Sequence, residues 1–94
     1  MGSWFYILRL RSGGLYCGAT QDLEKRWADH QAGRASRTTS LDSPRAVVYT
    51  EKLPDFVAAR RREAQVKRWT RAKKEALVAG DGPLLKVLSK RRGG

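Results

Sequence analysis

Two short segments near the N-terminus constrain the fold of this chain most strongly. Residues 3–10 are rich in aromatic and aliphatic strand formers, and residues 15–19 read as a returning strand. Residues 12–14, Ser-Gly-Gly, form a hairpin turn signal, because glycine accepts the positive φ that tight turns need. Each strand carries one tyrosine, Tyr6 in the first and Tyr16 in the second.

The length of the connection decides whether the two tyrosines share a face of the sheet, because side chains alternate along a strand. A loop of the three residues 12–14 pairs Leu10 with Tyr16 and places Tyr6 and Tyr16 on one face. A loop of two or four residues places them on opposite faces, unless a bulge restores the parity. A site that uses both hydroxyls therefore requires an odd-numbered connection.

A helix is predicted directly after the second strand. Thr20 is the expected N-cap, and Gly33 is the expected stop after about Ala32. One face of this helix collects four residues at three- and four-residue spacing: Leu23, Arg26, Trp27 and His30. The helix therefore presents two potentially cationic groups beside an apolar stripe.

The remainder of the chain predicts a loop over 33–45, a strand over 46–51 and a long helix with Asp55 as its N-cap. Thr70 is expected to cap a further helix that ends near Ala79, and a short helix is expected over 84–88. The predicted fold is α+β, a three-stranded antiparallel sheet flanked by helices in the order ββαβαα. We expect one domain over 1–80, followed by a short helix and basic tail over 81–94.

Glu63 stands out in the long helix. It shares a face with Phe56, Ala59 and Val66, and it is the only acid between Arg60 and Lys74, a stretch that holds eight lysines or arginines. It could form ion pairs with its basic neighbours at the edge of the core, the commoner outcome for such a residue. It could instead face a cleft and bind a cation, since a buried unpaired carboxylate is costly.

Composition narrows the classes of function. The chain has 94 residues and a net charge of +11, which favours a polyanionic partner, with nucleic acid ahead of an anionic membrane surface. No apolar run approaches the roughly 20 residues of a spanning helix, and no secretory signal is visible. One cysteine and one histidine exclude an internal disulfide framework and a Cys/His zinc site. We expect a cytoplasmic monomer.

The ordered set of marked residues resembles the GIY-YIG nuclease superfamily, and is similar in particular to its small stand-alone bacterial members. Trp4-Phe5-Tyr6 and Tyr16-Cys17-Gly18 correspond to the two signature tripeptides, and residues 15–26 follow the family pattern closely. The likeness covers roughly residues 4–79. Further matching positions are His30, Gly33, Thr39, Pro44, Tyr49, Arg62, Glu63 and Lys67.

The chain departs from the family pattern in three respects. Neither signature tripeptide is intact, and Cys17 replaces the middle isoleucine of the second. The chain contains no asparagine, so the asparagine that several members carry after the glutamate has no counterpart. Thr38 stands where the stand-alone branch suggests an aromatic residue.

The resemblance implies a division of roles. Glu63 would bind one divalent ion, Mg²⁺ or Mn²⁺, and Arg26 would stabilise the charged phosphate. Tyr6 or Tyr16 would position or deprotonate the attacking water, with His30 as the competing general base. Gly18 and Tyr49 would line the site, although strand packing is the first interpretation of Tyr49. Basic side chains expected to contact nucleic acid are Arg34, Arg37, Arg62, Lys67, Arg68, Arg71 and Lys73.

The resulting hypothesis is a metal-dependent DNA endonuclease with structure or single-strand selectivity, as in DNA repair. The first alternative is a non-catalytic module that binds DNA or RNA on the same fold. A scaffold that recruits another enzyme is a third interpretation. The altered tripeptides favour the alternatives, and the retained Tyr, Tyr, Arg and Glu set favours the nuclease.

Overall fold

A computed structural model describes residues 2–82 and confirms the predicted α+β fold. The strands are β1 (Ser3–Leu10), β2 (Leu15–Thr20) and β3 (Pro44–Leu53), and the helices are α1 (Leu23–Gln31), α2 (Arg37–Leu41), α3 (Phe56–Lys67) and α4 (Arg71–Ala79). The order matches the prediction except for one extra short helix, α2. The helix predicted over 84–88 and the basic tail lie outside the described residues.

The sheet is antiparallel with β1 in the centre, in the order β2-β1-β3. Tyr6 pairs with Gly18, and Leu8 pairs with Tyr16. The pairing of Leu10 with Tyr16, which a loop of residues 12–14 would give, does not occur, because five residues separate the last paired positions, Arg9 and Leu15. Five is also an odd number, as a site that uses both hydroxyls requires. The two tyrosines therefore lie on one face of the sheet.

Both faces of β1 are covered. Tyr6, Leu8 and Leu10 form one buried cluster, against which Leu23 and Trp27 of α1 pack. The alternate residues of β1 face the other side, where the core holds Phe5, Ile7, Cys17, Val66 and Leu77. Helix α1 therefore covers one face, and α3 and α4 cover the other, which is why β1 reads as a nearly continuous apolar run.

The helix caps follow the predictions with one exception. Asp55 and Thr70 cap α3 and α4 by accepting hydrogen bonds from backbone N–H groups three residues later. The N-cap of α1 is Asp22 and not Thr20. The Thr20 hydroxyl instead accepts the Asp22 N–H at 3.1 Å, so it holds the turn that leads into the helix.

The segment predicted as a loop over 33–45 contains α2 and the beginning of β3. Ser36 caps α2 by accepting the Thr39 N–H at 3.1 Å, and this turn brings the Thr39 side chain into the interior. A five-residue helix of Arg-Thr-Thr-Ser-Leu has no apolar repeat, so its sequence pattern did not predict it.

An ion pair joins the last helix to the central strand. The Arg9 guanidinium on β1 donates two hydrogen bonds to the Glu75 carboxylate on α4, at 2.6 and 2.7 Å. These hydrogen bonds, and the charges of Arg9 and Arg71, hold the pKa of Glu75 below its usual range. Arg71 also donates to the Gly13 carbonyl at 2.8 Å, so α4 contacts the β1–β2 turn as well.

The Arg9–Glu75 pair gives a stability prediction. Glu75→Gln should lower the free energy of unfolding by up to about 1 kcal/mol at neutral pH, the upper range for a partly exposed bidentate pair. Because the folded pKa of Glu75 is lowered, its contribution is present above the unfolded pKa of about 4.3 and is lost as the pH falls through the folded value. Urea unfolding at pH 7 and pH 3 measures both effects. The exposed Glu24→Gln is the control, and an equal loss at both pH values would contradict the assignment.

Candidate active site

Side chains from β1, β2, α1 and α3 line one open cleft of about 190 Å³. Four of the five predicted catalytic residues line this cleft, and the fifth, His30, lies directly behind Tyr6. The lining residues are Tyr6, Tyr16, Gly18, Ala19, Arg26, Phe56, Arg60 and Glu63.

Gly18 makes room for Tyr6. The two residues are paired across β1 and β2, and the Tyr6 ring packs directly over the Gly18 backbone. A Cβ atom at Gly18 would overlap the Tyr6 hydroxyl and ring, so close approach is the reason for glycine at this position. The second tripeptide, Tyr16-Cys17-Gly18, thus retains the glycine that the packing of Tyr6 requires.

His30 lies between the two tyrosines. The Tyr6 hydroxyl is 2.7 Å from His30 Nε2, and both side chains are almost completely buried. The His30 ring also has an edge contact with Tyr16, with 5.2 Å between the ring centroids. Tyr6, Tyr16 and His30 therefore form one packed unit, although only the tyrosines line the cleft.

The environment keeps the side chains of Tyr6 and His30 neutral. Burial raises the pKa of Tyr6 strongly, and the charges of Tyr16 and Glu63 raise it further against the opposing effect of Arg26. Burial lowers the pKa of His30, as does the nearby Arg26 charge, while Asp29 acts in the opposite direction. A free Tyr6 phenolate is therefore disfavoured, and His30 near pH 7 is a neutral imidazole that can accept a proton.

Glu63 faces the cleft and also has basic partners on its own helix. Its side chain is 17% exposed and lines the cleft, and it also forms ion pairs with Arg60 at 3.6 Å and Lys67 at 3.2 Å. Arg60 was not among the predicted site residues. Its spacing of three residues before Glu63, on the same helix face, is the signal that could have identified it.

The donor set of the cleft fits a hard divalent cation held by few protein ligands. Of the described residues that line the cleft, only Glu63 carries a carboxylate. Within residues 2–82 no group of three or more His, Cys, Asp or Glu side chains is arranged to hold a metal ion. Mg²⁺ commonly binds through one or two carboxylates, water and substrate phosphate, so one carboxylate on a cleft wall suits it.

Most of the predicted nucleic-acid contacts are exposed. Lys67 lies beside the cleft through its ion pair with Glu63, and Arg34 forms an ion pair with Asp29 at 3.4 Å. Three further arginines of the predicted set are exposed and belong to α2, the end of α3 and the start of α4: Arg37, Arg68 and Arg71.

Three of the predicted site residues lie away from the cleft: Tyr49, Lys73 and Arg62. Tyr49 pairs with Ile7 across β1 and β3, so it lies on the opposite face of the sheet from Tyr6, and its hydroxyl donates to Glu51. Lys73 is buried with its ammonium 4.1 Å from the centroid of the Trp69 ring. Tyr49 therefore has the packing role that was its first interpretation, and it does not line the site. Lys73 is a packing residue as well, so its predicted role in binding nucleic acid is corrected.

Arg62 is also engaged away from the cleft. Its guanidinium donates to Glu51 at 3.3 Å and to Gln65 at 2.7 Å, and it lies over the rings of Phe5 and Trp69. These contacts hold Arg62 against the α3 and α4 face of the sheet. Arg62 and Glu63 are therefore adjacent in the sequence, but only Glu63 lines the cleft.

Comparison with known proteins finds a family model and several relatives that match this chain. The model of the GIY-YIG catalytic domain matches residues 2–76. The chain is 38% identical over 78 residues to a UPF0213 protein of Natronomonas pharaonis, covering 83% of this chain and 92% of that protein. It is 33% identical over 90 residues to the UPF0213 protein YhbQ of Escherichia coli, covering 95% and 90% of the two chains.

A solved structure shows the same architecture. The solution NMR structure of a UPF0213 protein from Bacillus halodurans is 34% identical, with a TM-score of 0.56, and the match covers 93% of this chain and 94% of that one. The chain therefore belongs to the GIY-YIG family. This family indicates a nuclease-type function with a nucleic acid as substrate. None of the helices within residues 2–82 is long and apolar enough to cross a membrane.

The contact between Gly18 and Tyr6 gives a prediction. Gly18→Ala should displace the Tyr6 ring, break its hydrogen bond to His30 and lower the free energy of unfolding by about 1–3 kcal/mol, as is usual for overpacking. Urea unfolding and the NMR signals of the His30 ring measure the two effects. Gly14→Ala is the matched control, because its Cβ would meet only ordinary contacts at 3.4 and 3.8 Å. Equal behaviour of the two variants would refute the close-packing explanation.

The burial of His30 gives a second prediction. Because its pKa is lowered in the folded state, its ring should titrate below the usual value of about 6.5 in an NMR pH titration. The unfolded chain takes up the proton first, so stability due to His30 is present above pH 6.5 and is lost as the pH falls through the folded pKa. His30→Gln should remove this part of the pH dependence of unfolding. A midpoint at or above 6.5 would show that the ring is not desolvated.

Proposed function

We propose that this protein is a divalent-metal-dependent endonuclease that hydrolyses phosphodiester bonds of DNA. One observation carries the proposal. Two tyrosines, an arginine and a glutamate from four different elements line a single cleft, with a neutral histidine behind the first tyrosine. Separate packing roles would not require these side chains to converge.

The residues divide the work of hydrolysis between them. Arg26 would hold the scissile phosphate and offset the charge that develops on its oxygens, because its planar guanidinium suits two phosphate oxygens at once. Tyr6 would orient the attacking water at the cleft wall. As Tyr6 takes a proton from this water, its own proton would pass to His30 Nε2, which is 2.7 Å away.

Tyr16 would complete the arrangement from the neighbouring strand. Its ring touches His30, and its side chain borders the same cleft as Glu63, so its hydroxyl would restrict where the water and the phosphate can lie. This division makes the Tyr6–His30 pair the general base and gives Tyr16 a positioning role.

Glu63 would hold one Mg²⁺ or Mn²⁺ ion, with Lys67 and Arg60 holding its carboxylate in place before the ion binds. When bound, such an ion supplies charge neutralisation at the phosphate and polarises its oxygens. Lys67 and Arg60 would then be free to turn towards the phosphates that enter with the substrate.

We also propose that cutting depends on the shape or the single-stranded character of the DNA, which would suit a role in repair. The cleft is small and open, and the basic side chains that border it, Arg26, Arg60 and Lys67, suit contacts with the nucleic-acid backbone. With a net charge of +11, binding should weaken steeply as salt is raised.

A non-catalytic nucleic-acid-binding module is the second candidate. The observation that favours it is that the Glu63 carboxylate already has two cationic partners, Arg60 and Lys67. A carboxylate neutralised in this way no longer repels phosphate, so the same surface could bind DNA or RNA without a metal and without cutting.

Replacement of Glu63 separates the two candidates. Wild type should cut labelled single-stranded, duplex or branched DNA with Mg²⁺ or Mn²⁺ and not with EDTA. Glu63→Gln should reduce cutting by at least about 100-fold, on the order expected for the loss of a catalytic group, and should leave binding unchanged or tighter. Cleavage on gels and binding by fluorescence anisotropy measure the two properties.

The control is Glu24→Gln, which removes an exposed carboxylate on α1, outside the cleft. It should cut like wild type. Normal cutting by Glu63→Gln would refute the metal-binding role of Glu63. Binding by wild type without metal-dependent cutting of any of these substrates would establish the binding module instead.

A further inference from the structure

We propose that Thr39, held by Ser36, is a positioning residue that fixes the orientation and the tautomer of His30. In this arrangement Nδ1 carries the ring proton and Nε2 presents its lone pair to Tyr6. The consequence for catalysis rests on the proposed nuclease function. The tautomer itself does not depend on that function.

Four side chains form a continuous hydrogen-bonded row from the cleft towards α2. The row begins at the Tyr6 hydroxyl, 2.7 Å from His30 Nε2, and continues from His30 Nδ1 to Thr39 Oγ1 at 2.8 Å. Thr39 Oγ1 is in turn 2.9 Å from the Ser36 hydroxyl oxygen. His30 and Thr39 are each only 1% exposed, so water does not compete with these hydrogen bonds.

Helix α2 explains why Thr39 reaches this place. Ser36 caps the helix by accepting the Thr39 N–H at 3.1 Å, and the single turn from 36 to 39 directs the threonine side chain towards α1. Thr39 is the buried residue of α2, whereas Arg37, Thr38, Ser40 and Leu41 are exposed. Helix α2 therefore places one side chain, that of Thr39, in the interior.

Acidity decides which tautomer this row favours. A neutral imidazole has one N–H donor and one lone-pair acceptor, and both nitrogens are engaged. A phenol is a stronger acid than an alkyl hydroxyl, so Tyr6 is the better donor to an imidazole nitrogen. The alkyl oxygen of Thr39 is the better acceptor of an N–H. Both preferences place the proton on Nδ1 and the lone pair on Nε2.

The tautomer matters for the proposed proton transfer. Tyr6 can give its proton to His30 only if Nε2 is unprotonated, and the opposite tautomer would present an N–H to the Tyr6 oxygen. In the forward step the water loses a proton to Tyr6 oxygen and Tyr6 loses its own to Nε2. His30 becomes an imidazolium that keeps its Nδ1–H bond to Thr39. The reverse transfer through Tyr6 to bulk water restores the neutral ring.

The charged and titratable groups around His30 come from several elements. Tyr6 on β1 and Tyr16 on β2 contact its ring, and Arg26 and Asp29 of α1 act on it through their charges. Neither of these charged groups hydrogen-bonds to Nδ1 in the part of the chain that the structure describes. Thr39 is therefore the group placed to choose between the two tautomers.

The experiment uses the fact that His30 is the only histidine of the chain, so ¹⁵N-labelled protein gives one set of ring signals. In wild type without DNA or metal at pH 7.5, Nδ1 should appear as the protonated nitrogen and Nε2 as the unprotonated one. Thr39→Val, which keeps the shape and removes the hydroxyl, should shift the ring towards the opposite tautomer or a mixture. Thr39→Ser, which restores a hydroxyl, should recover the wild-type signals.

Cleavage rates follow the tautomer if the nuclease function holds. Thr39→Val should lower the single-turnover rate by about tenfold or more, part of the 10²–10⁴-fold that general base catalysis supplies. Thr39→Ser should stay within about threefold of wild type. DNA affinity should be unchanged in both variants, because Thr39 is buried and lies outside the cleft.

Several outcomes would overturn the proposal. One is a protonated Nε2 in wild type, a result that does not depend on how any variant folds. Others are unchanged ring signals in a folded Thr39→Val, or a Thr39→Ser variant that behaves like Thr39→Val. Failure of wild type to cut DNA, with the ring signals as expected, would refute the nuclease function and leave the role of Thr39 standing.

Discussion

The packing of Tyr6 over Gly18 is the contact on which the rest of the site depends. Because five residues separate the last paired positions of β1 and β2, Tyr16 lies on the same face as Tyr6. Because position 18 has no side chain, the Tyr6 ring can pack against β2 and its hydroxyl can reach His30. A one-residue change in the connection would turn one tyrosine to the opposite face.

Helices α1 and α3 supply the other side chains of the site. Helix α1 packs on the tyrosine face and brings Arg26 to the cleft and His30 behind it, while α3 brings Glu63 to the same cleft from its own apolar row. In a chain with a net charge of +11, a carboxylate between Arg60 and Lys67 is electrostatically stabilised before any ligand arrives. The same basic surface would attract a nucleic acid and keep it near the cleft.

Much of this arrangement was predictable from periodicity. The alternation along β1, the helical spacing of Arg26 and His30, and the anomalous acid at 63 all indicated the right faces. Helix α2 was not predictable, because a single turn built by Ser36 has no apolar repeat. Its contribution, Thr39, matched the family pattern, but the role of its side chain becomes visible only through the contact with His30.

Two errors have local physical causes. A register shift between β1 and β3 places Val47 opposite Leu8 and Tyr49 opposite Ile7, so two residues of the same parity face opposite sides. Simple alternation along β3 cannot show this. Lys73 lies in a basic run that suggested a solvated surface, yet its ammonium covers the Trp69 ring and the residue is buried. Composition identifies the charge of such a run, and tertiary packing decides which members reach solvent.

The central claim is that Tyr6 and Tyr16 serve one reaction centre. A double-mutant cycle of Tyr6→Phe and Tyr16→Phe tests it directly, with single-turnover cleavage of one DNA substrate measured at saturating Mg²⁺. If the two hydroxyls act as a unit, each single variant loses activity and the double variant is much less impaired than the product of the two losses. Losses that multiply, or two single variants that cut like wild type, would contradict the account.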